Sequence, residues 1–179
     1  MKKELTAVLF IVIFITATIW VIVEGSKAEI LPVGSKLPEI KLKTFYGLNT
    51  LKSNGYNKII VIYFSKECSH CKYELDLLNK NINMLTNTEV YFITADKDYL
   101  DSEQIKEYKS LLQNKNVIFG VINKEEYNKN FGSNATPTLY FFNQKGILTS
   151  KIIGETKFER IIEELKKSDS PGYRISGSN

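Results

Sequence analysis

The feature that most constrains this chain is a pair of cysteines between a strand-like run and a helix-like run. Cys68 and Cys71 are its only cysteines, and its only histidine, His70, lies between them. A continuous apolar run at residues 59–64 precedes the pair, and residues 72–78 follow with leucines at helical spacing. Two thiols three positions apart at a strand-to-helix junction are typical of a reactive dithiol.

Composition excludes several other classes of protein. With 43% apolar and 25% charged residues, the 179-residue chain has the balance of a globular protein. The net charge of +4 is small and the charges are interspersed, so we expect no nucleic-acid partner. Two neighbouring cysteines are too few for a disulfide scaffold.

The N-terminus predicts a membrane anchor. Residues 5–23 carry no charge and would span about 28 Å as a helix, close to the ~30 Å hydrocarbon core. Lys2 and Lys3 before the run favour a cytoplasmic terminus at residues 1–4 and an exported remainder. We therefore predict a single-pass signal anchor at the cell membrane, with residues 24–32 as linker. The alternative, a cleaved signal peptide, is disfavoured because the run is longer than the usual ~7–15 residues.

Beyond the linker, strands and helices alternate. Residues 33–168 are predicted to form one α/β domain, and residues 169–179 a disordered tail. The final hairpin makes the central sheet mixed, with helices on both faces. The predicted strands are 39–42, 59–64, 89–94, 117–122, 139–142 and 147–153, and the predicted helices are 71–85, 102–112, 124–131 and 156–167.

The position of the cysteines predicts different roles for them. At the start of a helix, the unpaired N–H groups and a protonated His70 would both stabilise a Cys68 thiolate. Cys71 lies one turn further and is expected to be buried. Cys68 is therefore the predicted nucleophile, and Cys71 the resolving thiol that attacks a mixed disulfide and leaves a Cys68–Cys71 disulfide.

The neighbouring charges act in opposite directions. His70 favours an oxidising pair, because a stabilised thiolate stabilises the reduced state. Glu67 opposes this effect, and Lys66 and Lys72 partly offset Glu67.

Two further residues have both a structural and a functional interpretation. Glu74 lies three residues after Cys71, so it is either a surface acid of the first helical turn or a buried carboxyl that exchanges protons with Cys71. Pro137 is either a simple strand start or the second residue of a cis Thr136–Pro137 bond facing the dithiol.

Together these residues resemble the thioredoxin superfamily, and within it the membrane-tethered TlpA/ResA-like branch. The resemblance covers residues 33–167 and rests on the Val33-Gly34 opening, the Cys68-Ser69-His70-Cys71 motif, Glu74 and Thr136-Pro137-Thr138. It implies a thioredoxin-like fold, a catalytic role for Glu74 beside Cys68, Cys71 and His70, and a cis-proline loop in which Thr136 and Pro137 bind substrate. Glu67 replaces the usual tryptophan, and Ile62 replaces the buried aspartate of cytoplasmic thioredoxins.

The leading hypothesis is an extracytoplasmic thiol–disulfide oxidoreductase without cofactor or bound metal. It would reduce or exchange disulfides of exported proteins and receive electrons from a membrane redox partner. A disulfide-forming oxidase or isomerase is the alternative, since a histidine before the second cysteine is similar to those enzymes. A copper chaperone lacks a further ligand, and a peroxidase would need an arginine near the thiolate, whereas the only arginines are Arg160 and Arg174.

Overall fold

The computed structural model describes residues 12–18, 30–55, 57–132 and 135–167. Residues 12–18 form a helical segment, α1. Residues 1–11, 19–29 and 169–179, which hold the predicted N-terminus, the rest of the anchor, most of the linker and the predicted tail, lie outside the described residues. The end of the predicted linker, residues 30–32, is described, and Leu31 is buried in the domain. Within the described ranges, no helix is both long enough and apolar enough to cross a membrane.

Seven strands form one mixed sheet in the order β2-β1-β5-β4-β3-β6-β7. The pairs β3–β4 and β4–β5 are parallel, whereas β1–β2, β1–β5, β3–β6 and β6–β7 are antiparallel. The strands are β1 (Ile40–Thr44), β2 (Gly47–Leu51), β3 (Lys58–Phe64), β4 (Thr88–Thr94), β5 (Val117–Val121), β6 (Thr138–Phe142) and β7 (Leu148–Ile153). β3 is apolar because it has a strand on each side and a packed layer on each face.

Helices cover both faces of the sheet, as the alternating pattern predicts. The helices are α2 (Ser69–Asn81), α3 (Lys109–Gln113), α4 (Lys124–Phe131) and α5 (Phe158–Lys167). One core layer joins the sheet to α2, α3 and α5 through residues such as Leu78, Leu111 and Ile161. The opposite layer holds Tyr127 of α4 and the N-terminal residues Leu31 and Leu37.

Two predicted helices differ from the structure. The helix predicted at 71–85 begins at Ser69 and ends at Asn81, and a 3₁₀ turn (Ile82–Met84) follows. The helix predicted at 102–112 is replaced by two 3₁₀ turns (Tyr99–Asp101 and Gln104–Glu107) and the five-residue α3. The apolar spacing there reflects burial against the sheet rather than one continuous helix.

The side chain at the start of the predicted 102–112 helix does not act as a helix cap. Ser102 has an extended backbone, and its hydroxyl donates to the carbonyl of Tyr99, 2.7 Å away. It therefore closes the preceding turn instead of starting a helix.

Candidate active site

Cys68 lies at the junction between β3 and α2 and is the N-cap of that helix. Its backbone is extended (φ −92°, ψ 113°), and its Sγ accepts a hydrogen bond from the Cys71 N–H at 3.2 Å. A side-chain acceptor in this position satisfies one of the unpaired N–H groups of the first turn. The helix start thus places a partly exposed sulfur among N–H donors that favour its anionic form.

The pKa of Cys68 is lowered below that of an ordinary thiol. Partial burial opposes ionisation, but hydrogen bonds from the Cys71 thiol, from Thr136 and from the backbone N–H groups of Cys71 and His70 outweigh it. Each donor stabilises the thiolate more than the neutral thiol. Cys68 is therefore the sulfur suited to nucleophilic attack, as the sequence predicts.

Cys71 has the opposite character. Its side chain is buried (1% exposed), and burial, followed by its hydrogen bond to Cys68, raises its pKa to about 12. The predicted burial of Cys71 is confirmed. Both cysteines are in the thiol form, so the predicted Cys68–Cys71 disulfide remains a prediction.

The loop before β6 faces the dithiol. The Thr136–Pro137 peptide bond is cis, as the resemblance predicts, and the Cys68 thiol donates to the Thr136 carbonyl at 3.4 Å. The register of the sheet brings the loop here, because Thr138 of β6 pairs with Tyr63 near the end of β3. Its backbone therefore lies next to the Cys68 sulfur, and substrate binding by Thr136 and Pro137 stays a prediction.

Glu74 is buried (1% exposed) on the same face of α2 as Cys71. Its Oε2 accepts a hydrogen bond from the Thr156 N–H at 3.0 Å, while its buried Oε1 has no hydrogen-bond partner among the described residues. Burial, with a smaller effect of the nearby Glu155 charge, raises the pKa of Glu74 to about 7. The interpretation of Glu74 as a surface acid is therefore wrong, and a carboxyl that takes up and releases protons near neutral pH is present.

His70 lies at the surface, where its Nδ1 is 2.8 Å from Oε2 of Glu155. The ring is 66% exposed, so solvent screens this ion pair. The histidine therefore has a carboxylate partner that the sequence did not indicate, and its predicted effect on the Cys68 thiolate stays a prediction.

The two lysines near the motif are also paired. Lys66 forms a 2.7 Å ion pair with Asp98, and Lys72 lies 3.2 Å from Glu107. Each lysine therefore has a carboxylate partner outside the motif, and the predicted offset of Glu67 by these lysines stays a prediction.

A polar cavity of about 480 Å³ opens beside the loop of Thr136. Asp96, which accepts a hydrogen bond from the Lys66 N–H at 2.7 Å, lines it together with Lys124 and Asn128. Across the described ranges, no group of three or more His, Cys, Asp or Glu side chains is placed to hold a metal ion.

Sequence reasoning missed the segment between β7 and α5. Thr156, predicted as the first residue of the last helix, lies in this loop, because α5 begins at Phe158. Glu155 and Thr156 reach the site only through the path of the chain across the sheet. An acid and a threonine after a strand give no signal of such a role.

Comparison with known proteins agrees with this geometry. The sequence profile of the thioredoxin-like domain family matches residues 46–169. No curated protein sequence matches the chain significantly.

Three solved structures are similar in fold. A DsbE-type thiol:disulfide interchange protein of Chlorobium tepidum has a TM-score of 0.60 at 15% identity, over 77% of this chain and 98% of the other. The thioredoxin domain of a thiol-disulfide oxidoreductase of Bacteroides vulgatus has a TM-score of 0.60 at 19% identity, over 76% of this chain and 97% of the other. StoA of Bacillus subtilis has a TM-score of 0.54 at 21% identity, over 71% of this chain and 96% of the other.

The matched region contains the whole site, from the dithiol to the β7–α5 loop. Two thiols that differ in burial and in pKa lie at a helix start and face a cis-proline loop. This arrangement is suited to disulfide exchange. The chain belongs to the thioredoxin-like domain family.

Proposed function

We propose that this protein is anchored in the cell membrane by residues 5–23 and reduces disulfides of exported proteins with the Cys68–Cys71 pair. The observation that carries the proposal is the difference between the two thiols. Cys68 is partly exposed with a lowered pKa, and Cys71 is buried with a pKa of about 12. A pair of this kind attacks with one sulfur and resolves with the other.

The reaction has two exchange steps. The Cys68 thiolate attacks one sulfur of a client disulfide, which forms a mixed disulfide and releases the other client sulfur as a thiolate. Cys71 then loses its proton and attacks Cys68, which forms the Cys68–Cys71 disulfide and releases the second client thiolate. The client gains two electrons, and a membrane thiol donor must return two electrons to the oxidised pair.

Glu74 is suited to accept the proton of Cys71. A thiol with a pKa of about 12 is a poor nucleophile at neutral pH unless a base removes its proton. The carboxyl of Glu74 shares a helix face with Cys71 and has a pKa of about 7. A base with a pKa near the working pH is the effective choice for this step.

Two features favour the reducing direction over the oxidase alternative. A high pKa of Cys71 favours the disulfide over the dithiol, because a more basic thiol forms a more stable disulfide. The ion pair with Glu155 also counteracts the charge of His70, which is the feature that favours an oxidase.

The proposed location rests on the N-terminal sequence. Residues 5–23 carry no charge, and Lys2 and Lys3 precede them. Within this run residues 12–18 are helical, and large apolar side chains such as Phe14 (71% exposed) lie on the surface of the segment. An apolar helix whose side chains are left exposed by the described part of the chain fits a lipid environment.

The decisive experiment is to trap clients. A Cys71→Ser variant is expected to accumulate mixed disulfides through Cys68 in cells, because the resolving thiol is absent. The matched Cys68→Ser variant should trap none. Absence of trapped protein from Cys71→Ser cells, together with uptake of one copper per chain by the wild type, would contradict disulfide exchange.

The equilibrium with glutathione measures the direction. We expect a potential near or below about −250 mV for a reductase, whereas a value near about −120 mV would establish the oxidase alternative. Location is tested separately by cell fractionation. The full chain should remain with membranes after a high-salt wash, and a chain lacking residues 1–29 should not; recovery of both in the soluble fraction would contradict the anchor.

A further inference from the structure

Three consecutive residues of the β7–α5 loop each contact a different part of the site. The Gly154 N–H donates to the Pro137 carbonyl at 2.8 Å, which joins the loop to the cis-proline segment. The Glu155 carboxylate pairs with His70, and the Thr156 N–H donates to Glu74. This loop therefore holds Glu155 between the histidine of the motif and the buried carboxyl.

We propose that Glu155 is a positioning residue of the dithiol site, acting as the counter-charge that prevents His70 from making the pair oxidising. The proposal rests on the exchange activity of Cys68 and Cys71. It goes beyond that activity because it assigns control of the redox balance to a residue of a separate loop, which contacts neither sulfur.

The effect of Glu155 has the same sign whether or not His70 carries a proton. With the carboxylate present, the His70–Glu155 pair has a net charge between −1 and zero. If Glu155 were neutral, the pair would be more positive in either case, because a full negative charge is lost. A more positive neighbour stabilises the Cys68 thiolate and hence the reduced pair.

The same carboxylate acts on the buried acid. The negative charge of Glu155 opposes ionisation of Glu74 and contributes to its raised pKa. The titratable groups that the structure records against Glu155 are therefore His70 and Glu74, both from α2. One surface charge influences both the nucleophile and the proposed base of the reaction.

The test is a set of charge variants in the full chain. Glu155→Gln should make the couple more oxidising, with about a threefold change in the equilibrium constant with glutathione, as for an exposed ion pair. For a two-electron couple this is about 14 mV. Glu155→Asp keeps the charge and should match the wild type. Glu163→Gln removes an equal charge from the exposed face of α5 and is the control for net charge.

Two further readouts separate a charge effect from a structural one. The midpoint of Cys68 alkylation against pH should fall in Glu155→Gln, and in 1 M salt its difference from the wild type should shrink, because salt screens exposed charges. By carboxyl NMR, the titration of Glu74 should move below its wild-type midpoint.

The proposal is overturned if Glu155→Gln changes the potential and the alkylation midpoint no more than Glu163→Gln does. It is also overturned if Glu155→Asp behaves like Glu155→Gln, since the effect would then be structural. A wild-type dithiol that does not equilibrate with glutathione would contradict the exchange activity itself. Equilibration with unchanged variants would contradict only the role of Glu155.

Discussion

At the scale of single residues, Glu74 departs from the ordinary behaviour of a carboxyl group. One oxygen has a backbone donor and the other has no partner in the part of the chain that the structure describes, so the buried carboxyl is stabilised when it carries a proton. Burial of an unpartnered carboxylate disfavours its charged form. Its raised pKa therefore links function to stability, because folding favours the protonated acid.

The sign of this link is testable with Glu74→Gln. The pKa of Glu74 rises from an ordinary 4.5 to about 7 on folding, so the folded state binds more protons between these values. The free energy of unfolding of the wild type should therefore fall, relative to Glu74→Gln, as pH rises from 4.5 through 7. Once this stabilisation is completely lost, the free energy of unfolding of the wild type has fallen by about 3 kcal/mol relative to Glu74→Gln.

Urea unfolding at pH 4.5 and pH 8 measures this difference. The exposed Glu163→Gln variant is the control, and its difference from the wild type should be nearly independent of pH. Equal pH dependence of the wild type and Glu74→Gln would show that Glu74 ionises normally in the folded protein.

At the scale of elements, the order of the strands assembles the site. The end of β3 leads into Cys68, and β6 begins beside it after the cis-proline loop. β7 ends at the same edge, because Ile153 pairs with Thr138. Three segments distant in sequence therefore meet at one edge of the sheet.

The opposite side of the sheet depends on a close contact between β5 and β1. These strands share one recorded register pair, Lys43 with Val121, and a Cβ at Gly120 would lie 2.9 Å from Cβ of Leu42. Gly120→Ala should therefore destabilise the protein by about 1–3 kcal/mol through overpacking.

Chemical denaturation measures this effect, with Lys41→Ala on the exposed face of β1 as a control that should change stability by less than about 0.5 kcal/mol. The potential of the dithiol should not change in Gly120→Ala, since β3, β6 and β7 carry the site. Equal stability of the two variants would show that β1 moves away from β5 freely.

At the scale of the whole molecule, the segment before β1 belongs to the folded domain. Leu31 and Leu37 are buried, and the backbone of Gly34 and Leu37 donates to Leu148 and Gly146 at 2.8 and 2.7 Å. The structural unit therefore starts before the first strand.

Two deletions test this boundary. A chain lacking residues 1–29 should unfold at the same urea concentration as the full domain, whereas one lacking residues 1–37 should lose roughly 3 kcal/mol or more, because two buried leucines are removed. The urea midpoints of the two deletion variants are compared by fluorescence-monitored unfolding. Equal midpoints would mean that the segment contributes nothing to the core.

The sequence by itself determined the fold class and the unequal burial of the two thiols, because these depend on local chemistry. Apolar runs define central strands, a helix start lowers the pKa of a cysteine at its N-cap, and the next turn buries its partner. Only the tertiary structure decided that Glu74 is buried, that Lys66 and Lys72 are paired elsewhere, and that Glu155 opposes His70. Those facts depend on contacts between residues as far apart as positions 70 and 155, and the order of strands in the sheet brings such residues together.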